Sequence, residues 1–437
     1  MMTTLSRRVL LKTTIAGGML HGFQHKARAV PSERITLGFV GLGERGTYLL
    51  KEFLREPDVQ VLAICDCEDL HYREREWGSG KALGRAPACA YIDKVSGAPP
   101  VLVTSDFREV CEHQGVDAVV VATPDHWHAI CALEALKNRK DVYCEKPVVH
   151  RFREGLSICQ AVKEYQRVFQ TGSQQRSTAH FRQAVELIRN GVLGGIDRME
   201  VGLPAGYQQP MGSAAVTAPP DAAVYDQWCG PAARLPFMRA RYHRWWRGHS
   251  AFGGGVLMDW IGHHNDIAHW SLNLDQSGPR TVTATMWTPP QTQVYNTPWH
   301  YSIQCEFDNG VQSTISDDNA LGTKWIGPEG WIHVTRGRIS ASDTRWLAQD
   351  FEAGPFRFEP LVSHVRNFLD CIKRRKTCVA PAEAGHRSIT PGHLGYVSHQ
   401  VGRSLTWNAQ KQRIENDPIA QKLLVENEYR DPWHLPS

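Results

Sequence analysis

The run Ile35-Thr36-Leu37-Gly38-Phe39-Val40 ends in Gly41-Leu42-Gly43-Glu44-Arg45-Gly46, and a helical pattern follows through Phe53. A strand that passes straight into a helix through glycines at this spacing has few places in protein architecture. Gly41 permits the tight turn, Gly43 lets backbone approach a pyrophosphate, and Gly46 allows the helix to pack on the strand. The pattern therefore predicts the opening unit of a doubly wound, dinucleotide-binding domain. Glu44 and Arg45 join the three glycines in the expected phosphate cradle at the helix N-terminus.

The next apolar run, Val59 to Ile64, ends at Cys65-Asp66. Asp66 stands about 20 residues past Gly46, where an acid meets the ribose hydroxyls, and this favours NAD over NADP. Arg73 and Arg75 nearby leave a 2′-phosphate open. Ala118-Val119-Val120-Val121-Ala122 is uniformly apolar, as a strand covered on both faces requires, and runs into Thr123-Pro124-Asp125-His126-Trp127-His128. Ligands of such sheets sit outside the strands' carboxyl ends. Thr123, Pro124 and His128 are therefore assigned to the cofactor and Trp127 to the substrate. A helix from Ala129 to Asn138 and a strand from Asp141 to Cys144 lead to Glu145-Lys146-Pro147, with Lys146 held extended by the following proline. Lys146 at that strand end can hold an alkoxide or carbonyl oxygen next to a nicotinamide; Glu145 and Lys146 complete the cofactor set.

The N-terminus carries Ser6-Arg7-Arg8-Val9-Leu10-Leu11-Lys12, a short uncharged stretch and Ala27-Arg28-Ala29. Twin arginine, apolar core and small-residue site in that order predict an export leader over residues 1–29, cleaved after Ala29, a periplasmic destination and the twin-arginine export machinery as partner. It is too short to span a membrane. Removing it takes five cations and no acid, so the formal charge falls from +4 to −1. No basic stripe remains to argue for nucleic acid. The ~400 residues left suffice for two domains, expected at 33–175 and 176–437. Eleven scattered cysteines show no paired metal-ligand pattern, and no metal site is expected.

In the second half, Gly253-Gly254-Gly255 opens a helix that continues Val256-Leu257-Met258-Asp259-Trp260-Ile261-Gly262-His263-His264-Asn265-Asp266. Asp259, His263 and Asp266 fall at i, i+4 and i+7 on one face, and a histidine with a carboxylate one turn away is a candidate oriented base. The aromatic and basic stretch Tyr242-His243-Arg244-Trp245-Trp246-Arg247 precedes the loop, with Trp246 offered as part of a sugar platform.

The glycine fingerprint, Glu145-Lys146-Pro147 and this helix, with Gln170-Thr171-Gly172-Ser173-Gln174, Gly327-Pro328-Glu329-Gly330-Trp331 and Gly385-His386-Arg387-Ser388, resemble the glucose-fructose oxidoreductase/inositol dehydrogenase (Gfo/Idh/MocA) family over nearly the whole chain. The match looks like its exported branch. The resemblance implies a Rossmann domain followed by an α/β domain on a large, mostly antiparallel sheet, and a homo-oligomer. The runs Arg198 to Leu203, Thr281 to Trp287, Tyr301 to Phe307, Val311 to Ser316 and Trp331 to Arg336 alternate as strands should, and a helix is expected over Val362 to Arg374. The resemblance further implies Lys146 on the reacting oxygen, His263 as base, Asp259 orienting its ring, and His264 and Asp266 at the substrate. The activity implied is an NAD-dependent oxidoreductase, with tightly held NAD, acting on a sugar, cyclic polyol or glycoside. An NAD-dependent glycosidase or lyase that oxidises its sugar only transiently, and a non-catalytic sugar-binding module, remain open.

Overall fold

The computed structural model describes residues 34–73, 80–426 and 428–436. The leader and Arg75 lie outside the described residues.

Six parallel strands form the first sheet, in the spatial order Leu102–Thr104, Val59–Cys65, Ile35–Val40, Ala118–Val121, Asp141–Cys144, Phe169–Thr171. The first strand in sequence lies central and the order reverses beside it, which opens a crevice at the carboxyl ends of Ile35–Val40 and Ala118–Val121. All four residues of Ala118–Val121 and of Asp141–Cys144 are buried, because helices cover both faces. The helix expected from Ala129 begins earlier, at Asp125, and runs to Lys137. Pro124 fixes the extended residue ahead of it, so the first turn takes in Asp125, His126, Trp127 and His128.

A nine-stranded sheet makes the second domain: Arg338–Ala341, Gly330–Thr335, Gly322–Gly327, Arg198–Gly202, Gln312–Ser316, His300–Glu306, Thr281–Thr288, Leu405–Asn408, Arg413–Ile414. Only Arg198–Gly202 and Gln312–Ser316 run parallel; the other neighbours are antiparallel. The five expected strands are present within a residue or two, and Gly322–Gly327 joins them as a hairpin partner of Gly330–Thr335. Helices Gly255–Ser271 and Ala382–Val401 pack together on one face of this sheet. The Gly255–Ser271 helix is buried almost all round, so its polar residues must find partners on several sides. Helix His364–Arg374 returns to the first domain, where Phe368 meets Phe53 and Tyr143 edge to face. Arg366 and Lys373 on that helix both bond Asp58, locking the two domains together. No helix among the described residues is long and apolar enough to cross a membrane.

Candidate active site

The glycine loop has the shape a pyrophosphate cradle demands. Gly41 has φ +89°, and a Cβ there would lie 2.7 Å from the backbone of Ala122 and Thr123. A Cβ on Gly46 would collide with the Gly41 carbonyl oxygen, which is the close helix-strand contact expected of the third glycine. Gly43 differs: nothing lies within 4 Å of its Cβ position. That open space at the N-cap of helix Glu44–Phe53 is where backbone N–H groups are available to an anion. Asp66 ties the loop down, its Oδ2 accepting from Leu42 N–H at 2.6 Å and its Oδ1 from Glu68 N–H at 2.9 Å. Burial pushes its carboxyl above the usual range against those bonds.

A cleft of about 1200 Å³ runs from this loop toward the second domain. Gly41, Gly43, Glu44, Arg45, Asp66, Thr123, Pro124 and Trp127 line it from the first domain, and Trp228, Arg239, His243 and Trp245-Trp246-Arg247 from the second. Arg73, one candidate for a 2′-phosphate, is ion-paired with Glu44. Over the other end of the cleft the Tyr242 hydroxyl donates to Glu68 Oε1 at 2.6 Å, and His243 stacks on His71 at 4.3 Å. The second domain thus clasps the segment that follows Asp66.

Lys146, Asp259 and His263 stand beside the cleft. The Lys146 ammonium donates to Asp259 Oδ1 at 2.5 Å and to the Asp259 carbonyl at 2.9 Å. The Lys146–Pro147 peptide is cis. Gly262 packs beside the lysine stem, its Cβ position an ordinary contact distance of 3.6 Å from Lys146 Cβ. Arg247 Nε lies 3.2 Å from the same Asp259 oxygen, so one carboxylate holds two cations. His263 is 7 % exposed, and its Nδ1 is buried without a hydrogen-bond partner. Burial first, then the charges of Lys146 and Arg336, hold its pKa well below the ordinary histidine value. The ring is therefore a neutral proton acceptor at physiological pH.

Several expectations need correction. Asp259 does not orient His263 through Nδ1; its carboxylate is turned to Lys146 and Arg247, which outcompete an uncharged ring. His264 points away from the cleft into the second domain, fully buried, with Nδ1 2.7 Å from the Gly202 carbonyl oxygen. Asp266 is likewise withdrawn: both its oxygens accept from Arg176 at 2.8 Å, and Arg176 in turn grips Asp275. These two residues brace the helix and are not substrate contacts. Glu145 is a buried anchor, its Oε1 taken by Arg45 at 2.7 Å and Gln174 at 3.0 Å, its Oε2 by the Lys146 N–H. Burial opposes its ionisation, yet Arg45 and Lys146 hold the carboxyl below the usual range. His128 is fixed between the Pro147 carbonyl at 2.7 Å and the Thr123 carbonyl at 2.9 Å, so it braces both turns and offers no nitrogen to a cofactor. Trp127 lines the cleft wall but is locked, donating from Nε1 to the Trp228 carbonyl and packing edge-on to Phe107 and Trp433. Trp246 also lines the cleft, with Arg247 over its ring at 4.3 Å.

Three residues at the site were given no individual role by the sequence, Arg247 entering only as the end of a stretch that could line a sugar site. Arg247 is one, joined to both Asp259 and, at 3.8 Å, Asp125. Asp125 is the second: 1 % exposed, both oxygens without hydrogen-bond partners, its carboxyl pushed up to about 7 chiefly by burial. A Cβ on Gly253 would lie 3.0 Å from Asp125 Oδ2, so that glycine lets the substrate helix begin against it. The signal for Asp125 was its place just beyond an apolar strand. The third, Arg336, sits in a hairpin turn that sequence pattern does not connect to the cleft.

Comparison with known proteins adds a lineage. A model described as "Oxidoreductase family, NAD-binding Rossmann fold" matches residues 35–173, and one described as "Oxidoreductase family, C-terminal alpha/beta domain" matches residues 178–435, both of the Gfo/Idh/MocA group. An uncharacterized oxidoreductase, YrbE, of Bacillus subtilis is 26% identical over 163 residues, 37% of this chain and 42% of that protein. A glycosyl hydrolase family 109 protein of Shewanella sp. is 25% identical over 163 residues, 37% of this chain and 33% of the relative. The match spans less than half the length of either relative. The crystal structure of an aldose-aldose oxidoreductase from Caulobacter crescentus superposes with a TM-score of 0.61 at 16% identity, covering 85% of this chain and 99% of that one, which establishes the shared fold.

Proposed function

The chain belongs to the Gfo/Idh/MocA oxidoreductase family, and we propose that it moves a hydride between NAD and a carbinol carbon of a sugar, cyclic polyol or glycoside. The observation that carries this reading is the group beside the cleft: Lys146 braced by Asp259, next to a neutral His263 whose Nδ1 has no partner. A bound nicotinamide supplies the hydride acceptor in the oxidising direction. His263 takes the hydroxyl proton, and the Lys146 ammonium stabilises the oxygen as it becomes an alkoxide. Asp259 and Arg247 fix the position of that ammonium. His263, Lys146 and Asp259 thus divide the work as base, electrostatic stabiliser and brace.

The residues present fit the cofactor. The open face of Gly43 suits a pyrophosphate, and Asp66 at the strand end suits the two ribose hydroxyls of NAD. Glu44 occupies Arg73, which argues against a 2′-phosphate there. The clasp from Tyr242 and His243 to Glu68 and His71 supports slow release, hence a tightly held cofactor. Retained NAD suits the periplasmic destination that the twin-arginine leader implies; export through that machinery and assembly into a homo-oligomer are part of the same proposal.

A second reading has its own support in the glycosyl hydrolase family 109 relative. Here the sugar is oxidised, loses its aglycone and is reduced again, with the same residues and no net NADH. Incubating the purified protein with sugars, inositols and aryl glycosides separates the two: NADH accumulating on the protein supports the oxidoreductase, and aglycone release at constant NAD supports the cycle. Neither outcome, with nucleotide bound, contradicts both.

A further inference from the structure

Each cation around Lys146 has a carboxylate within ion-pair distance, with one exception. Lys146 and Arg247 share Asp259, and Arg45 bonds Glu145. Arg336 has no ion-pair or hydrogen-bond partner among the described residues. It occupies the turn Arg336-Gly337 between strands Gly330–Thr335 and Arg338–Ala341, where Thr335 pairs with Arg338. Gly337 has φ +77°, and its N–H donates to His180 Nε2 at 3.2 Å, which pins the turn against helix Ala179–Arg189. The guanidinium sits 4.6 Å above the ring of Trp260, and that ring meets His263 edge to face at 5.6 Å. Trp260 belongs to the helix that carries both Asp259 and His263. Arg336 is therefore held on an aromatic platform, one ring away from the base, and is not among the residues lining the dinucleotide cleft.

An arginine stacked on tryptophan keeps its planar fork of donors free for an oxyanion, and stacking lowers the entropy lost when one binds. A carboxylate or phosphate accepts two parallel bonds from such a fork. Asp259 acts on Arg336 only from beyond ion-pair distance, so a neutral sugar would leave the fork of donors unused.

Resting on the proposed sugar chemistry, we propose that Arg336 binds an anionic substituent of the substrate, a carboxylate or a phosphate, and makes the site selective for acidic sugars over neutral ones. Arg336 is a specificity residue that touches substrate; it takes no part in the proton or hydride transfer.

Calorimetric titration of the NADH-loaded protein with glucuronate, glucose 6-phosphate and glucose tests this. At least one acidic sugar binds tenfold or more tighter than glucose; which of the two does so identifies carboxylate or phosphate. Arg336→Gln brings that ligand down to the affinity of glucose, Arg336→Lys restores part of it, and both variants keep the melting temperature because the residue lies on an exposed turn. The preference also shrinks as salt is raised. Equal affinities, a preference that survives Arg336→Gln, or no binding of either acidic sugar overturns the proposal. Arg336-dependent binding of an acidic sugar, with no reduction when the same sugar is added to NAD-loaded protein, would instead count against the hydride-transfer reading and leave this one standing.

Discussion

Replacing Lys146 by methionine removes an ammonium while keeping most of the buried stem. Its two bonds to Asp259, at 2.5 and 2.9 Å, disappear, but Asp259 keeps Arg247 at 3.2 Å. A carboxylate stranded in the interior would cost about 3–5 kcal/mol. Because Arg247 remains and both partners are part-exposed, at 13% and 21% of their side chains, the expected stability loss is only ~1–2 kcal/mol, a few degrees in melting temperature. Catalysis should suffer far more. Losing one fixed donor to a developing oxyanion lowers turnover about 10²- to 10³-fold, or ~3–4 kcal/mol in the barrier. The glycine loop is untouched, so even without the Lys146 contact most of the nucleotide should stay bound. The assay is single-turnover reduction of bound NAD by a reactive sugar, followed by nicotinamide absorbance, with nucleotide content and melting temperature measured on the same sample. Turnover within about threefold of wild type, with nucleotide bound, refutes Lys146 as the group that stabilises the reacting oxygen.

Gly46→Ala should purify without nucleotide, because the new Cβ collides with the Gly41 carbonyl oxygen; the ratio of absorbances of the purified protein reads this directly. Arg176→Met should lower the melting temperature by many degrees, since Asp266 is left charged and buried, at ~3–5 kcal/mol, yet leave KM unchanged in whatever protein folds; an altered KM alone would return Asp266 to the substrate pocket. Burial holds His126, His128, His264, His269, His364 and His386 at pKa values of about 4, below the 6.5 of an unfolded histidine. Unfolding therefore takes up protons below pH 6.5, so stability is lost as pH falls from 6.5 toward 4, by ~2 kcal/mol per histidine at pH 5. Denaturant midpoints that stay flat between pH 7 and pH 5 would contradict it. Asp66→Ser should weaken NAD and narrow its advantage over NADP, as measured by the two dissociation constants, since the acid at the ribose position is gone.

The first domain was legible because its signals are local. A strand, three glycines and a helix lie within twenty residues; Asp66 and Lys146 each stand just past the carboxyl end of a strand of the same parallel sheet, whose burial is written in the uniformly apolar Ala118–Val121. The second domain's alternating strands showed as well, down to Arg198–Gly202 and Thr281–Thr288. Roles on the substrate helix were harder. Spacing puts Asp259, His263 and Asp266 on one face, but it does not say which cations arrive from elsewhere. Arg176 comes from 90 residues upstream to claim Asp266, and Lys146 from 113 upstream to claim Asp259. His263 and His264 are adjacent in sequence and stand about 100° apart round a buried helix, one turned toward Lys146 and one against the Gly202 carbonyl. Arg336 reaches the site from a hairpin tip, a placement only tertiary packing creates.

The fate of nucleotide bound to the purified protein when sugars are added is the most direct test. Nucleotide should be released as NAD on denaturing the untreated protein and as NADH after incubation with a reactive sugar, and the change should be abolished in Lys146→Met and in His263→Asn. Protein that folds with its melting transition intact yet binds neither NAD nor NADP would contradict the central claim.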